Sequence, residues 1–331
     1  MRHYNIPIFV PHRGCPHDCA FCNQKQITAA QTEPDAVQTK QIVETALATI
    51  PQDSEVEVAF FGGSFTGIPI ETQRALLEAV QPYREMGRVQ GIRLSTRPDY
   101  INEEILHMLR EYHVTSIELG VQSMRDAVLQ KNGRGHTAQQ VHIASRLIQK
   151  MGFSLGLQMM VGLDGSTEAD EIYTAQEIAA LKPDTVRIYP TIVLPQTELM
   201  RRYELGIYRP MELEPCVALC AKLAELFETN HIKIIRMGLQ STELIQETGD
   251  LVGPYHSSFG ELVYIRKFRD KIETLVKDVQ EKTVYLRVHP KDISRAVGNR
   301  KSTLQYFAEV YHKTLCFHQD DWQTRGTVKI F

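Results

Sequence analysis

The chain has 331 residues, 43% of them hydrophobic and 23% charged, with a formal net charge of −3. That is enough apolar material for one large core or two modest ones, and the charge excludes a globally basic nucleic-acid binder. No apolar run approaches the ~20 residues of a membrane span, and the opening Met1-Arg2-His3-Tyr4-Asn5 lacks the shape of a signal peptide. Six cysteines and no secretory signal point to a reducing, cytoplasmic compartment rather than a disulfide scaffold.

Short β-branched runs alternate with longer stretches whose apolar residues recur three and four apart. A first strand at 6–10 leads into a loop carrying Cys15, Cys19 and Cys22. A helix at 36–49 and a strand at 56–61 follow, the strand running out into Gly62-Gly63-Ser64. After a helix at 70–81, a third strand at 91–95 ends at Ser95-Thr96-Arg97. A helix at 102–112 precedes a strand at 116–121, with Gln122 at its end and Arg134 just beyond. A helix at 137–151, a strand at 153–161 containing Gln158, a helix at 167–181 and a strand at 185–189 complete six βα units. Such a series predicts an α/β fold, a parallel sheet with right-handed crossovers and helices on its outer face. Ligands of such sheets bind at the carboxyl ends of the strands, which is where the cysteine loop, the Gly-Gly pair, Ser95 and Gln122 fall.

Beyond Pro190 the pattern changes to a helix at 213–228 and a strand-like run at 231–237. Cys216 and Cys220 share that helix in phase with Leu219, Leu223 and Phe227; such a pair could bind a metal, but buried core thiols are the expectation. A smaller α+β extension is expected over 241–331: a helix at 261–280, a strand at 284–288, a helix at 291–311 and two short strands. Cys316 is expected in the core of the first of these two. The division is therefore 1–240 and 241–331. The extension carries 14 Lys+Arg against 12 Asp+Glu. Its Arg287, His289, Lys291, Arg295, Arg300 and Lys301, with Tyr285 and Tyr306 nearby, could track phosphates or simply form a solvated face.

The C-x3-C-x2-C spacing of Cys15, Cys19 and Cys22 concentrates three thiols in one loop, and the next cysteine is Cys216. Three thiolates can hold three irons of a [4Fe–4S] cube and leave the fourth open for chemistry. Zinc would need a fourth ligand, which His12 or His17 could supply, but zinc sites usually pair two such half-sites. A disulfide with a spare thiol is the weakest alternative.

With Phe21 just before the last cysteine, this loop resembles the signature of radical S-adenosylmethionine (SAM) enzymes. Residues 95–100 (Ser-Thr-Arg-Pro-Asp-Tyr), 118–123 (Glu-Leu-Gly-Val-Gln-Ser), 134–137 (Arg-Gly-His-Thr) and 189–193 (Tyr-Pro-Thr-Ile-Val) resemble the radical-SAM domain of the Elongator catalytic subunit. The likeness extends over roughly residues 4–240. It implies a partial (β/α)6 barrel with a smaller C-terminal extension, a [4Fe–4S] cluster on Cys15, Cys19 and Cys22, and SAM chelating the open iron. It also implies SAM contacts from Gly62, Gly63, Ser64, Ser95, Gln122, Arg134 and Gln158, with Phe21 and the Val161-Gly162 turn flanking the adenine. Ser64 stands where the family has an acid, and Gln158 where relatives carry a ribose-binding Asp.

The resemblance further implies reductive cleavage of SAM, hydrogen abstraction from a substrate, and an electron donor of flavodoxin or ferredoxin type. tRNA modification is the favoured class. Small-molecule chemistry such as porphyrin-precursor decarboxylation is the second reading, and a non-catalytic cluster- or SAM-binding sensor the third. No acetyl-CoA pyrophosphate loop is visible, and about 90 residues beyond the core are short for the acetyltransferase domain of the Elongator subunit. Carboxymethyl transfer to tRNA by this chain alone is not expected.

Overall fold

The computed structural model describes residues 2–10, 19–23, 34–239 and 251–331. Seven parallel strands form the main sheet in the order β1 to β7: β1 (His3–Val10), β2 (Glu55–Gly62), β3 (Gly91–Thr96), β4 (Val114–Gln122), β5 (Ser154–Val161), β6 (Thr185–Pro190) and β7 (Lys233–Met237). Each strand lies beside its predecessor, the usual arrangement of consecutive βα units. The run read at 231–237 joins this sheet as a seventh strand beyond the six βα units.

Strand alternation divides the sheet into two chemically different faces. Ile8, Val58, Leu94, Leu119, Leu157 and Ile188 point outward, are at most 1% exposed, and pack under the helices. Burying each such side chain contributes roughly 1.5–3 kcal/mol. The covering helices are α1 (Ala36–Thr49), α2 (Ile70–Glu78), α3 (Gln81–Glu85), α4 (Glu103–Glu111), α5 (Asp126–Lys131), α6 (Ala138–Lys150), α7 (Glu168–Ala180), α8 (Glu198–Glu204) and α9 (Leu213–Thr229). Capping boxes at Asp35, Thr137 and Thr167 start α1, α6 and α7. The inner face instead carries Glu57, Arg93, Glu118, Gln158 and Arg187. Arg187 on β6 reaches the Phe61 ring on β2 at 5.1 Å although three strands intervene, so the sheet curls into a half-barrel around this polar lumen.

Helix α10 (Phe259–Val276) links the two cores. Phe259 and Val263 belong to the main one; Phe268, Ile272 and Val276 belong to a second, with Val284, Leu286 and Phe307. The buried Lys267 ties α10 to Glu225 and Glu228 of α9. The second core lies beneath a three-stranded sheet ordered β10-β8-β9, formed by β8 (Thr283–Val288), β9 (Thr314–Gln319) and β10 (Val328–Ile330). β9 runs parallel to β8 and β10 antiparallel. Among the described residues, no helix is long and apolar enough to cross a membrane.

Three local expectations are corrected. The helix read at 70–81 ends at Glu78 and a short one restarts at Gln81, because Pro82 cannot donate the backbone bond that continuation needs. The helix read at 291–311 is split into α11 (Ile293–Val297) and α12 (Ser302–Val310), since Arg300 and Lys301 adopt φ of 50° and 64°, outside right-handed helix. Cys316 is half-buried rather than core, on the side of β9 away from the buried Leu315. Cys216 and Cys220 are fully buried on α9, as their helical phase predicts.

Candidate active site at the carboxyl ends of the strands

The described part of the cysteine loop is pinned on both sides. Ala20 N–H donates to Asn132 O at 3.0 Å, its carbonyl accepts from Leu199 N–H at 2.7 Å, and Asn23 Nδ2 donates to Pro195 O at 3.2 Å. A turn in which Cys22 N–H donates to Cys19 O at 2.9 Å holds these two cysteines on one bend. Cys19 is buried and Cys22 half-buried; Cys15 lies outside the described residues. Phe21 packs with Val193, Leu199 and Tyr208, and the Tyr208 hydroxyl donates to Gly162 O at 2.6 Å. Phe21 and the Gly162 turn are thus joined through one tyrosine.

Arg134 connects this loop to the sheet. Its Nη2 donates to Gly120 O at 2.7 Å, and its Nη1 lies 3.5 Å from Cys19 Sγ. The approach requires the glycine, because a Cβ at Gly120 would stand 2.5 Å from Arg134 Nη2 and 3.0 Å from Gln122 Nε2. Arg134 is 8% exposed, and its Nε has no partner among the described residues. Gln122 sits at a register shift in β4 with φ of 67°, left-handed for a non-glycine residue, and its Oε1 accepts from Gln158 Nε2 at 3.3 Å. Cys19, Arg134, Gln122 and Gln158 therefore form one continuous constellation. His136 backs it: burial, and then the Arg134 cation, push its imidazole down to about 3. It is neutral at physiological pH, and the Val121 carbonyl 3.1 Å from Nε2 places the ring proton there.

The Gly-Gly turn closes the neighbouring side, with Gly63 N–H donating to Val10 O at 2.7 Å at the ends of β1 and β2. Ser64 is brought to this rim but its hydroxyl turns away from the lumen. It is fully buried, lies 2.9 Å from Thr96 Oγ1 and accepts from Arg97 N–H at 3.1 Å. Ser95 lies on the inner face of β3, in register with Glu118.

Several lumen residues were not singled out from sequence. Glu118 is 3% exposed and bridges Arg93 at 3.0 Å and Arg187 at 2.9 Å, while Arg93 also meets Glu57 at 3.1 Å. Burial works against the Arg187 charge, but Glu118 and Tyr189 outweigh it and raise its pKa. On the intervening strand Gly156 makes room, since a Cβ there would stand 2.7 Å from Glu118 Cγ. The signal was present: parallel strands buried on both faces read as near-continuous apolar runs, whereas Glu57, Arg93, Glu118 and Arg187 interrupt four of them. Beside the end of β5, a cavity of about 320 Å³ is lined by Gly162, Asp164, Thr167, Glu171, Tyr208 and Met211. Burial raises the Glu171 carboxyl to about 7, although Gly162 N–H donates to it.

Comparisons with known proteins bear on the family and the fold. The radical SAM C-terminal domain pattern matches residues 183–270. The tRNA uridine(34) acetyltransferase of Methanocaldococcus jannaschii is 25% identical over 316 residues, covering 89% of this chain and 54% of that protein. Human Elongator complex protein 3 is 30% identical over 194 residues, 52% of this chain and 35% of that one. The chain thus spans about half the length of the tRNA uridine(34) acetyltransferases it matches, and about a third of human Elongator complex protein 3. Among solved structures, archaeal Methanocaldococcus infernus Elp3 with an N-terminal deletion superposes with a TM-score of 0.65 at 23% identity, covering 82% of this chain and 63% of that one, which supports the partial-barrel fold. The radical SAM superfamily pattern matches residues 9–178, the stretch that carries the cysteine loop and strands β2 to β5, and the chain belongs to that superfamily of enzymes.

Proposed function

We propose that the chain binds a [4Fe–4S] cluster and SAM at the carboxyl ends of its strands and acts on RNA, with tRNA uridine the favoured target. The observation that carries the first part is the convergence of Cys19 Sγ with the buried Arg134, whose Nε is without a partner among the described residues. Soft thiolates suit an iron–sulfur group, and a buried guanidinium with spare donor capacity suits a carboxylate. When bound, a reduced cluster supplies the electron that splits SAM into methionine and a hydrogen-abstracting 5′-deoxyadenosyl radical.

In this reading Cys15, Cys19 and Cys22 hold the cluster. Arg134 takes the methionine carboxylate of SAM, the Gly62-Gly63-Ser64 backbone its amine, and Gln122 and Gln158 its ribose hydroxyls. Phe21 and Gly162 shape the adenine side, and Ser95 lines the lumen. The Glu118–Arg187 bridge fills the lumen floor and limits how much water reaches the reacting centre. A flavodoxin- or ferredoxin-type donor in a reducing cytoplasm would supply electrons. The RNA part rests on the relatives named for tRNA uridine chemistry.

The test compares modified nucleosides in tRNA from cells with and without this gene, alongside SAM cleavage by the purified, reduced protein. SAM cleavage together with a lost or altered uridine supports the whole reading. Cleavage with an unchanged nucleoside profile removes RNA and moves the substrate to a small molecule.

A further inference from the structure

The second sheet buries one face and leaves the other open. Val284, Leu286, Val288, Leu315 and Val328 point into the second core. Alternation then sets Tyr285, Arg287, His318 and Lys329 on the open face, joined by Phe331, whose N–H donates to Tyr285 O at 3.2 Å. The solvated side of a sheet is ordinarily polar. Here Tyr285 and Phe331 are each 53% exposed.

These side chains form two rows. Phe331 lies opposite Tyr285, their ring centroids 6.1 Å apart and edge-on, so the two rings do not stack on each other and both stay exposed. Two residues along the strands, about 6.7 Å away, Lys329 stands opposite Arg287 and Arg287 opposite His318. The rows touch: the Arg287 guanidinium is 5.0 Å from the Phe331 ring and the His318 ring 5.5 Å from it. Asp320, 3.5 Å from Arg287, offsets part of that charge, while Lys329 is exposed and has no carboxylate in ion-pair range among the described residues. The chain's single tryptophan, Trp322, is 95% exposed two residues beyond Asp320, and its backbone N–H donates to that carboxylate at 2.9 Å.

Exposed rings beside a row of cations match the two halves of a nucleotide. Bases of any identity stack on aromatic faces, and phosphates follow the cations. The core of a protein interface is instead depleted of charge. We propose that this open face docks single-stranded RNA, with bases stacked on Tyr285 and Phe331 and the backbone running along Lys329 and Arg287. The proposal rests on the RNA reading above and adds to it a binding surface outside the barrel.

The test uses the full chain, a labelled short oligouridine and a labelled stem-loop RNA with a single-stranded loop, read by fluorescence anisotropy. The Tyr285→Ala/Phe331→Ala variant should bind both RNAs about tenfold or more weakly, and the aromatic-preserving Tyr285→Phe/Phe331→Tyr variant close to wild type. Both should cleave SAM as the wild type does, because neither residue lies in the barrel. Wild-type RNA binding that survives the alanine pair overturns the platform and leaves RNA as substrate. No RNA binding by a wild type that still cleaves SAM overturns the RNA reading itself. Self-association that the alanine pair abolishes, without RNA binding, reassigns the face to a second copy of this chain.

Discussion

Replacing Glu118 by alanine removes a carboxylate shared by two arginines in the lumen. Arg93 keeps Glu57 at 3.1 Å, but Arg187 is left with the Tyr189 hydroxyl at 3.4 Å and the Phe61 ring at 5.1 Å. Glu118 is 3% exposed, so water cannot readily replace it. Breaking a buried pair from one side costs roughly 3–5 kcal/mol, most of it from the uncompensated charge left behind. Urea unfolding of Glu118→Ala should therefore show an unfolding free energy lower by that much, read as a lower midpoint with an unchanged slope. Glu118→Gln, which keeps one acceptor and the volume, should lose less. Removing both charges, in Glu118→Leu/Arg187→Met, should recover most of the loss, giving a coupling energy of several kcal/mol in the double-mutant cycle. A cost below about 1 kcal/mol for Glu118→Ala, or strict additivity in the cycle, would refute the view that this bridge holds the lumen together.

Two further outcomes follow from the site. Arg134→Lys keeps a charge but loses the planar fork that reaches Gly120 O and Cys19 together; SAM affinity by calorimetry should fall about tenfold or more while iron content holds, and unchanged affinity contradicts the carboxylate assignment. Glu171 titrates at about 7 in the fold against an ordinary 4.5, so the protonated form is the one the fold prefers. Its contribution is complete below pH 4.5 and is lost as pH rises through 7, amounting to about 3 kcal/mol at most. Glu171→Gln should accordingly melt progressively higher than wild type between pH 5 and pH 8, and a pH-independent gap would remove the burial argument.

Much of the barrel was legible because its signals are local. The β-branched runs, the apolar residues three and four apart and the clustering of Cys19, Gly62, Ser95 and Gln122 at strand ends lie within short stretches of chain. What was not legible depends on partners far apart in sequence. Glu118 meets Arg187 sixty-nine positions on, and nothing near either residue marks the pairing. The partners of the Ser64 hydroxyl, Thr96 and Arg97, are likewise 32 and 33 positions away in sequence. The basic cluster of the extension is likewise divided by tertiary pairing. Arg295 is held by Glu261 at 3.1 Å and Arg287 by Asp320 at 3.5 Å, whereas the aromatic row beside Arg287 includes Phe331, which sequence proximity does not associate with Tyr285. The helix break at Arg300 and Lys301 was missed because left-handed backbone at a basic pair has no compositional mark.

The central claim is that three thiolates of one loop hold a redox-active cluster against the SAM site. Anaerobic preparation, cluster loading and quantitation of iron together with 5′-deoxyadenosine formed from SAM under reduction test it most directly. The account predicts about four irons per chain and 5′-deoxyadenosine from the wild type, and loss of both in Cys19→Ser. Stoichiometric zinc with no iron, or a Cys19→Ser variant that keeps its iron and still forms 5′-deoxyadenosine, would contradict it.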